Sequence, residues 1–143
     1  MTEGPALGPH DEAAIREALA GLAHDVGVTL ELGPSATPVT LLAAGGRELD
    51  TAAITRRLLE SVCALDERVR LTVREHDDPG PWPRTTIGPG LVYLGMPLGF
   101  ELTTLVQAIV EAGREAPALS AASRERLASL ERDVALDVYV TPT

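Results

Sequence analysis

Val92-Tyr93-Leu94-Gly95-Met96-Pro97-Leu98-Gly99-Phe100-Glu101-Leu102-Thr103-Thr104-Leu105 turns a strand into a helix within fourteen residues. Leu91–Leu94 reads as a short strand, and Gly95 to Gly99 as a tight turn. Beyond the turn, Leu102, Leu105, Val106 and Ile109 recur at i, i+3, i+4 and i+7, the stripe of an amphipathic helix that Gly113 ends. Glu101 falls in the first helical turn, where the helix dipole favours a carboxylate. The Gly95-x-x-x-Gly99 spacing has neither the Lys and Ser/Thr of a phosphate loop nor the glycine spacing of a dinucleotide fingerprint. Its role is the turn itself, with Met96 and Phe100 expected to pack beneath it.

Upstream, Arg84–Ile87 and Leu91–Leu94 flank Gly88-Pro89-Gly90, a hairpin signal. Before it lies an irregular stretch, His76-Asp77-Asp78-Pro79-Gly80-Pro81-Trp82-Pro83. Val69, Leu71 and Val73 alternate with Arg68, Arg70, Thr72 and Arg74, as in a half-buried strand. Asp50 or Thr51 caps a helix with Ile54, Leu58, Val62 and Leu65 on one face. Val39 to Ala44, apolar except for Thr40, reads as a strand covered on both faces and ended by Gly45-Gly46. Val28, Leu30 and Leu32 alternate as a short strand before the turn Gly33-Pro34-Ser35-Ala36. Asp11 is positioned to cap a first helix bearing Ile15, Leu19 and Leu22, and residues 1–9, rich in Gly and Pro, read as a loose tail. Downstream, Ser120 caps a helix with Leu127 and Leu130, and Val134, Leu136, Val138 and Val140 alternate as a terminal strand.

Strand–helix–strand implies a parallel pair with a right-handed crossover. The hairpin and helix that follow complete a mixed sheet covered by helices. The fold class is α/β, with the core pattern of the thioredoxin fold and an extra C-terminal helix and strand. The expected organisation is a tail over 1–9, a thioredoxin-like domain over 10–118, and a helix and strand over 119–143.

Composition narrows the function. The 143 residues are 45% hydrophobic, enough for one globular core. The net charge is −9 and all 12 basic residues are arginine, with a pI of about 4.7. Such an acidic balance argues against a nucleic-acid partner, since phosphate contacts need a basic surface. No apolar run approaches the roughly 20 residues that span a bilayer, and the first residues lack a signal-peptide pattern. The cytoplasm is the expected compartment. Cys63 is the single cysteine, so neither a disulfide framework nor a dithiol can form within one molecule.

Three segments resemble known proteins. Residues 92–105 are similar to the Gly-x-Pro-x-Gly-His-Glu-Phe turn and helix of the flavoprotein subunit of alkyl hydroperoxide reductase, in its N-terminal domain, and of the tandem protein disulfide oxidoreductases. Leu65-Asp66-Glu67-Arg68-Val69-Arg70-Leu71-Thr72 is similar to the helix–strand junction of those proteins. Val140-Thr141-Pro142-Thr143 looks like the end of a strand that runs into a Cys-x-x-C turn. The resemblance covers roughly residues 38–143. It implies two thioredoxin-like units in tandem, of which this chain looks like the first, without cysteines, plus the opening strand of the second. A longer polypeptide would carry Cys-x-x-C just past Thr143. The family turn residues are Gly95, Pro97, Gly99 and Glu101. Three departures stand out: Gly45-Gly46-Arg47-Glu48-Leu49-Asp50 holds no cysteine where a first-unit Cys-x-x-C belongs, Phe100 replaces the histidine, and residues 26–37 look like an insertion.

The resemblance also places Pro83 where a thioredoxin fold carries a cis-proline beside a groove for extended polypeptide, with Trp82 and Arg84 flanking it. An ordinary loop proline beside a packed tryptophan is the alternative. Cys63 lies near the C-terminal end of its helix, where the dipole opposes a thiolate, so a small buried hydrophobe is the simpler reading than a redox thiol. His76, Asp77 and Asp78 read as a solvated acidic loop rather than metal ligands, because adjacent residues rarely converge on one ion. His24-Asp25 reads as a helix-end pair. No Ser-His-Asp, Cys-His or paired-carboxylate arrangement stands out, and no metal or cofactor is expected. The leading expectation is a non-catalytic accessory or docking domain of a thiol-redox system, with a peroxiredoxin or a redox subunit as partner. The competing one is a stand-alone interaction module without redox chemistry, forming a homodimer or a complex through residues 134–140, or folding that strand back on its own domain.

Overall fold

The computed structural model describes residues 6–34 and 50–139. Its elements run α1 (Pro9–Leu19), β1 (Val26–Leu32), α2 (Thr51–Cys63), β2 (Val69–Glu75), β3 (Arg84–Ile87), β4 (Leu91–Leu94), α3 (Phe100–Ala112) and α4 (Ala121–Ala128). The four strands form one sheet in the order β2-β1-β3-β4. β1 pairs in parallel with β2, from Val26↔Val69 to Leu32↔Glu75. On its other side it pairs antiparallel with β3, from Val28↔Ile87 to Glu31↔Arg84. β3 and β4 close the hairpin. A parallel β1-α2-β2 unit followed by an antiparallel hairpin and α3 is the mixed α/β arrangement expected from the sequence.

One expectation changes here. Residues 26–32, read as the start of an insertion, form the central strand. The reason is physical: Val26, Val28, Leu30 and Leu32 are all buried, whereas β2 and β4 lie at the edges. Val39–Ala44, expected as a strand, lies outside the described residues.

The pleat divides the sheet into two unlike faces. Val26, Val28, Leu30, Val69 and Ile87 are buried on one face, in a single cluster with residues of α1, α2 and α3, and Thr85 is buried on the same face. Leu19, Leu59, Leu105 and Ile109 supply the helical side of that core. The other face carries Thr29, Glu31, Arg70, Thr72, Arg74, Arg84, Thr86, Val92 and Leu94, none of them buried.

The helix ends follow local chemistry. Asp50 caps α2, its side chain accepting the Ala53 N–H at 2.9 Å. α1 starts at Pro9, two residues before Asp11, because Pro fits the first helical position and the Gly8 carbonyl already accepts the Glu12 N–H. Leu7, inside the stretch read as a loose tail, is buried. Ser120 caps α4 through the Ser123 N–H. α4 buries no residue, and Leu127 and Leu130 on it and just beyond it are exposed. The terminal strand is not formed over 134–139: Val134, Leu136 and Val138 are exposed and unpaired there. Alternation alone leaves backbone groups with no ladder to join.

Arg68 ties the α1 end to β2. Its guanidinium donates to the Leu22 and Leu19 carbonyls and to both oxygens of Asp66. These bonds from Arg68 hold the Asp66 carboxyl down to about 2. A carboxyl depressed on folding contributes stability above its unfolded value, about 3.9, and that contribution is lost as pH falls through about 2. Asp66→Asn is therefore expected to be less stable than wild type above pH about 4 and to converge on it toward about pH 2, read from urea unfolding across that window. Leu59→Ala, at a fully buried site, is expected to cost about 2–5 kcal/mol in the same measurement.

Candidate functional site

The C-terminal ends of β1 and β2, the start of α2 and the start of β3 meet at one end of the sheet, the edge at which open α/β folds commonly bind ligands. A recess of about 470 Å³ opens there, lined by Leu32, Gly33, Asp50, Arg56, Glu75 and His76. Trp82 sits beside it. Its ring stacks on His76 with centroids 4.4 Å apart and planes 8° from parallel, and its indole N–H donates to the Asp78 carbonyl at 2.9 Å. Gly33 and Gly80 lie against the indole, where an added Cβ at either position would stand 2.5 Å from a ring carbon. Thus His76 is half-buried against an aromatic face rather than solvated in an acidic loop; stacking removes one face of its ring from water.

The Trp82–Pro83 peptide bond is cis, and Pro83 is buried. Arg84, next in the chain, is 3.8 Å from the Glu31 carboxylate, which also lies 3.3 Å from His76 Nε2. That imidazole contact is an ion-pair distance without hydrogen-bond geometry, since His76 Nε2 is buried and has no hydrogen-bond partner. Glu31 does not stand out in the sequence. Its only signal is its place on the less apolar side of an alternating strand.

The turn motif joins this cluster through the backbone: the Gly95 N–H donates to the Pro83 carbonyl at 2.9 Å. Gly95 and Gly99 have φ of 103° and 60°, left-handed conformations that favour glycine. Pro97 is fully buried beneath the turn. Phe100 is not beneath it: at 79% exposure it projects from the first position of α3. Glu101 accepts a hydrogen bond from the Tyr93 hydroxyl at 2.6 Å, pinning α3 to β4. Burial first, then the Glu101 carboxylate, pushes the Tyr93 phenol above its ordinary range. Trp82, Pro83 and Arg84 are thus tied through Gly95 to the turn that holds Pro97, Gly99 and Glu101, while Pro97 and Gly99 themselves line a separate recess with Leu7 and Ile15.

Cys63 does not join them. It closes α2 at the opposite end of that helix from Asp50, and burial pushes its thiol up to about 12. Among the described residues no group of three or more His, Cys, Asp or Glu side chains is placed to hold a metal. His24 and Asp25 do not pair at a helix end: His24 faces Glu115 and Asp25 accepts from Arg70.

These features define a thioredoxin-like fold. Solved structures share it. The alkylhydroperoxide reductase AhpF of Enterococcus faecalis, as its C503A mutant, superposes with a TM-score of 0.67 at 17% identity, covering 87% of this chain and 61% of that one. The N-terminal domain of the same Enterococcus faecalis reductase gives 0.68 at 17% identity, covering 88% and 62%. A protein disulfide oxidoreductase from Aeropyrum pernix gives 0.69 at 21% identity, covering 86% and 55%. The chain thus spans less than two thirds of each of these structures. No family model matches the chain, and no curated protein matches it by sequence. Among the described residues no helix is long and apolar enough to cross a membrane.

Trp82 is the chain's one tryptophan, so tryptophan fluorescence reports on this site alone. Gly33→Ala or Gly80→Ala is expected to displace the indole, shifting its emission to the red and costing about 1–3 kcal/mol of stability. Cys63 is expected to resist a thiol reagent in native buffer and to react at once in denaturant; fast native labelling would contradict its burial.

Proposed function

We propose that this chain is a non-catalytic thioredoxin-like docking domain of a thiol-redox system. One observation carries the reading. The first turn of α2, at the end of the sheet that also holds Pro83, is Asp50-Thr51-Ala52-Ala53, capped by a carboxylate. The one thiol, Cys63, is buried at the far end of the same helix. Disulfide exchange needs an accessible thiolate and a second thiol to resolve the mixed disulfide. The architecture is kept, and the chemistry has no group to perform it.

What remains is a surface. Trp82, Pro83 and Arg84 lead into β3 beside the recess, and an extended segment of a redox partner, a peroxiredoxin or a disulfide-bearing subunit, is the occupant that suits it. The structural likeness to domains of thiol-redox proteins supports this reading by fold. Residues 10–118 act as the docking domain in this account.

Two measurements test it. The purified chain is expected not to accelerate dithiothreitol-driven insulin reduction, and acceleration would show a catalytic thiol and end the reading. A peroxiredoxin titrated into the chain is expected to shift Trp82 emission saturably, and a flat titration together with a null pull-down of the disulfide-bearing subunit would remove the docking role.

A further inference from the structure

β2 pairs with β1 along one side, and among the described residues nothing pairs with its other side. An edge of seven residues is long, and exposed edges invite another strand. Its side chains alternate in character. Val69, Leu71 and Val73 face the helical layer, with Leu71 and Val73 only partly covered. Arg70, Thr72 and Arg74 face the open side and are exposed. Arg70 bonds Asp25, while Arg74 has no ion-pair partner among the described residues.

Residues 134–140 carry the complementary alternation over the same length. Val134, Leu136, Val138 and Val140 fall on one parity, and Ala135, Asp137 and Tyr139 on the other. Val134, Leu136, Val138 and Tyr139 are exposed, at 58%, 85%, 82% and 93%.

We infer that residues 134–139 of one copy add as a strand, in a second copy, to the edge of β2 that no described residue pairs. In the register that sets Asp137 opposite Thr72, the match holds whichever way the added strand runs. Asp137 then has Arg70 and Arg74 as diagonal neighbours on the open face, within reach of long side chains. Val134, Leu136 and Val138 then lie beside Val69, Leu71 and Val73, extending the core. The arginines that keep this edge from pairing indiscriminately select an acidic strand. β4, the other edge, offers no such match: it is four residues long and sets Leu91, Val92 and Leu94 against any charge. The exchange is reciprocal, each copy giving its segment and receiving the other's, as a two-fold dimer requires. Pairing at the β2 edge is independent of the redox reading above.

Sedimentation equilibrium of the full chain tests it. Wild type is expected at twice 15.1 kDa. Asp137→Arg is expected to raise the dimer Kd about tenfold or more, and adding Arg70→Asp and Arg74→Asp to restore most of the loss. All three positions are exposed, so circular dichroism is expected to be unchanged. Amide exchange at residues 69–75 is expected to slow as protein concentration rises. A monomer with those amides protected at all concentrations would mean that the segment folds back on its own chain, which overturns the inference. A monomer with them unprotected, or a dimer indifferent to Asp137→Arg, would overturn it as well.

Discussion

β1 is bound on both sides by neighbours that run in opposite directions, and that double constraint organises the chain. A parallel neighbour requires a crossover, which α2 provides, and an antiparallel neighbour requires the chain to return from the other end, which the β2–β3 connection provides. With both edges of β1 committed, its side chains have no freedom of register. A slip by one residue would exchange buried Val26, Val28, Leu30 and Leu32 for Gly27, Thr29 and Glu31. The hydrophobic core is thus also the device that aligns Glu31 with Arg84 and brings Pro83 beside Gly95.

Much of this was legible in the residues. The alternation in β2, the stripe on α3, the hairpin around Gly88-Pro89-Gly90 and the caps at Asp50 and Ser120 each have a local cause, and local causes can be read from a single chain. The role of β1 was less legible because centrality is a tertiary property. Val28, Leu30 and Leu32 look the same at an edge as in the middle, and the resemblance to known proteins begins only near residue 38. Residues 134–140 show the converse. Their pattern is that of a strand, but a strand also needs a neighbour, and over the described part, 134–139, none is present in the structure.

The site divides in the same way. Trp82, Pro83 and Arg84, and Gly95, Pro97, Gly99 and Glu101, stand out as sequence features. The hydrogen bond from the Gly95 N–H to the Pro83 carbonyl that unites them does not, because backbone contacts leave no mark on residue identity. His76 and Glu31 come to Trp82 and Arg84 by folding, across distances no short motif spans. Arg68 reaches Leu19 and Leu22 over more than forty residues. Phe100 is hard to place from sequence for another reason: helical phase at the first residue of a helix depends on the turn before it, and Phe100, next to the Gly99 cap, is exposed.

The division of the sheet into an apolar and an open face also separates charge. Overall the chain is strongly acidic, at −9, yet its open face presents Arg70, Arg74 and Arg84 against two carboxylates, Glu31 and the Arg70-bound Asp25. Among the described residues, the open face therefore carries a small excess of positive charge on a chain that is acidic as a whole. An acidic body approaching at low ionic strength is repelled less at this open face than the net charge implies. Net charge alone would predict only mutual avoidance; its distribution gives this protein an orientation on encounter.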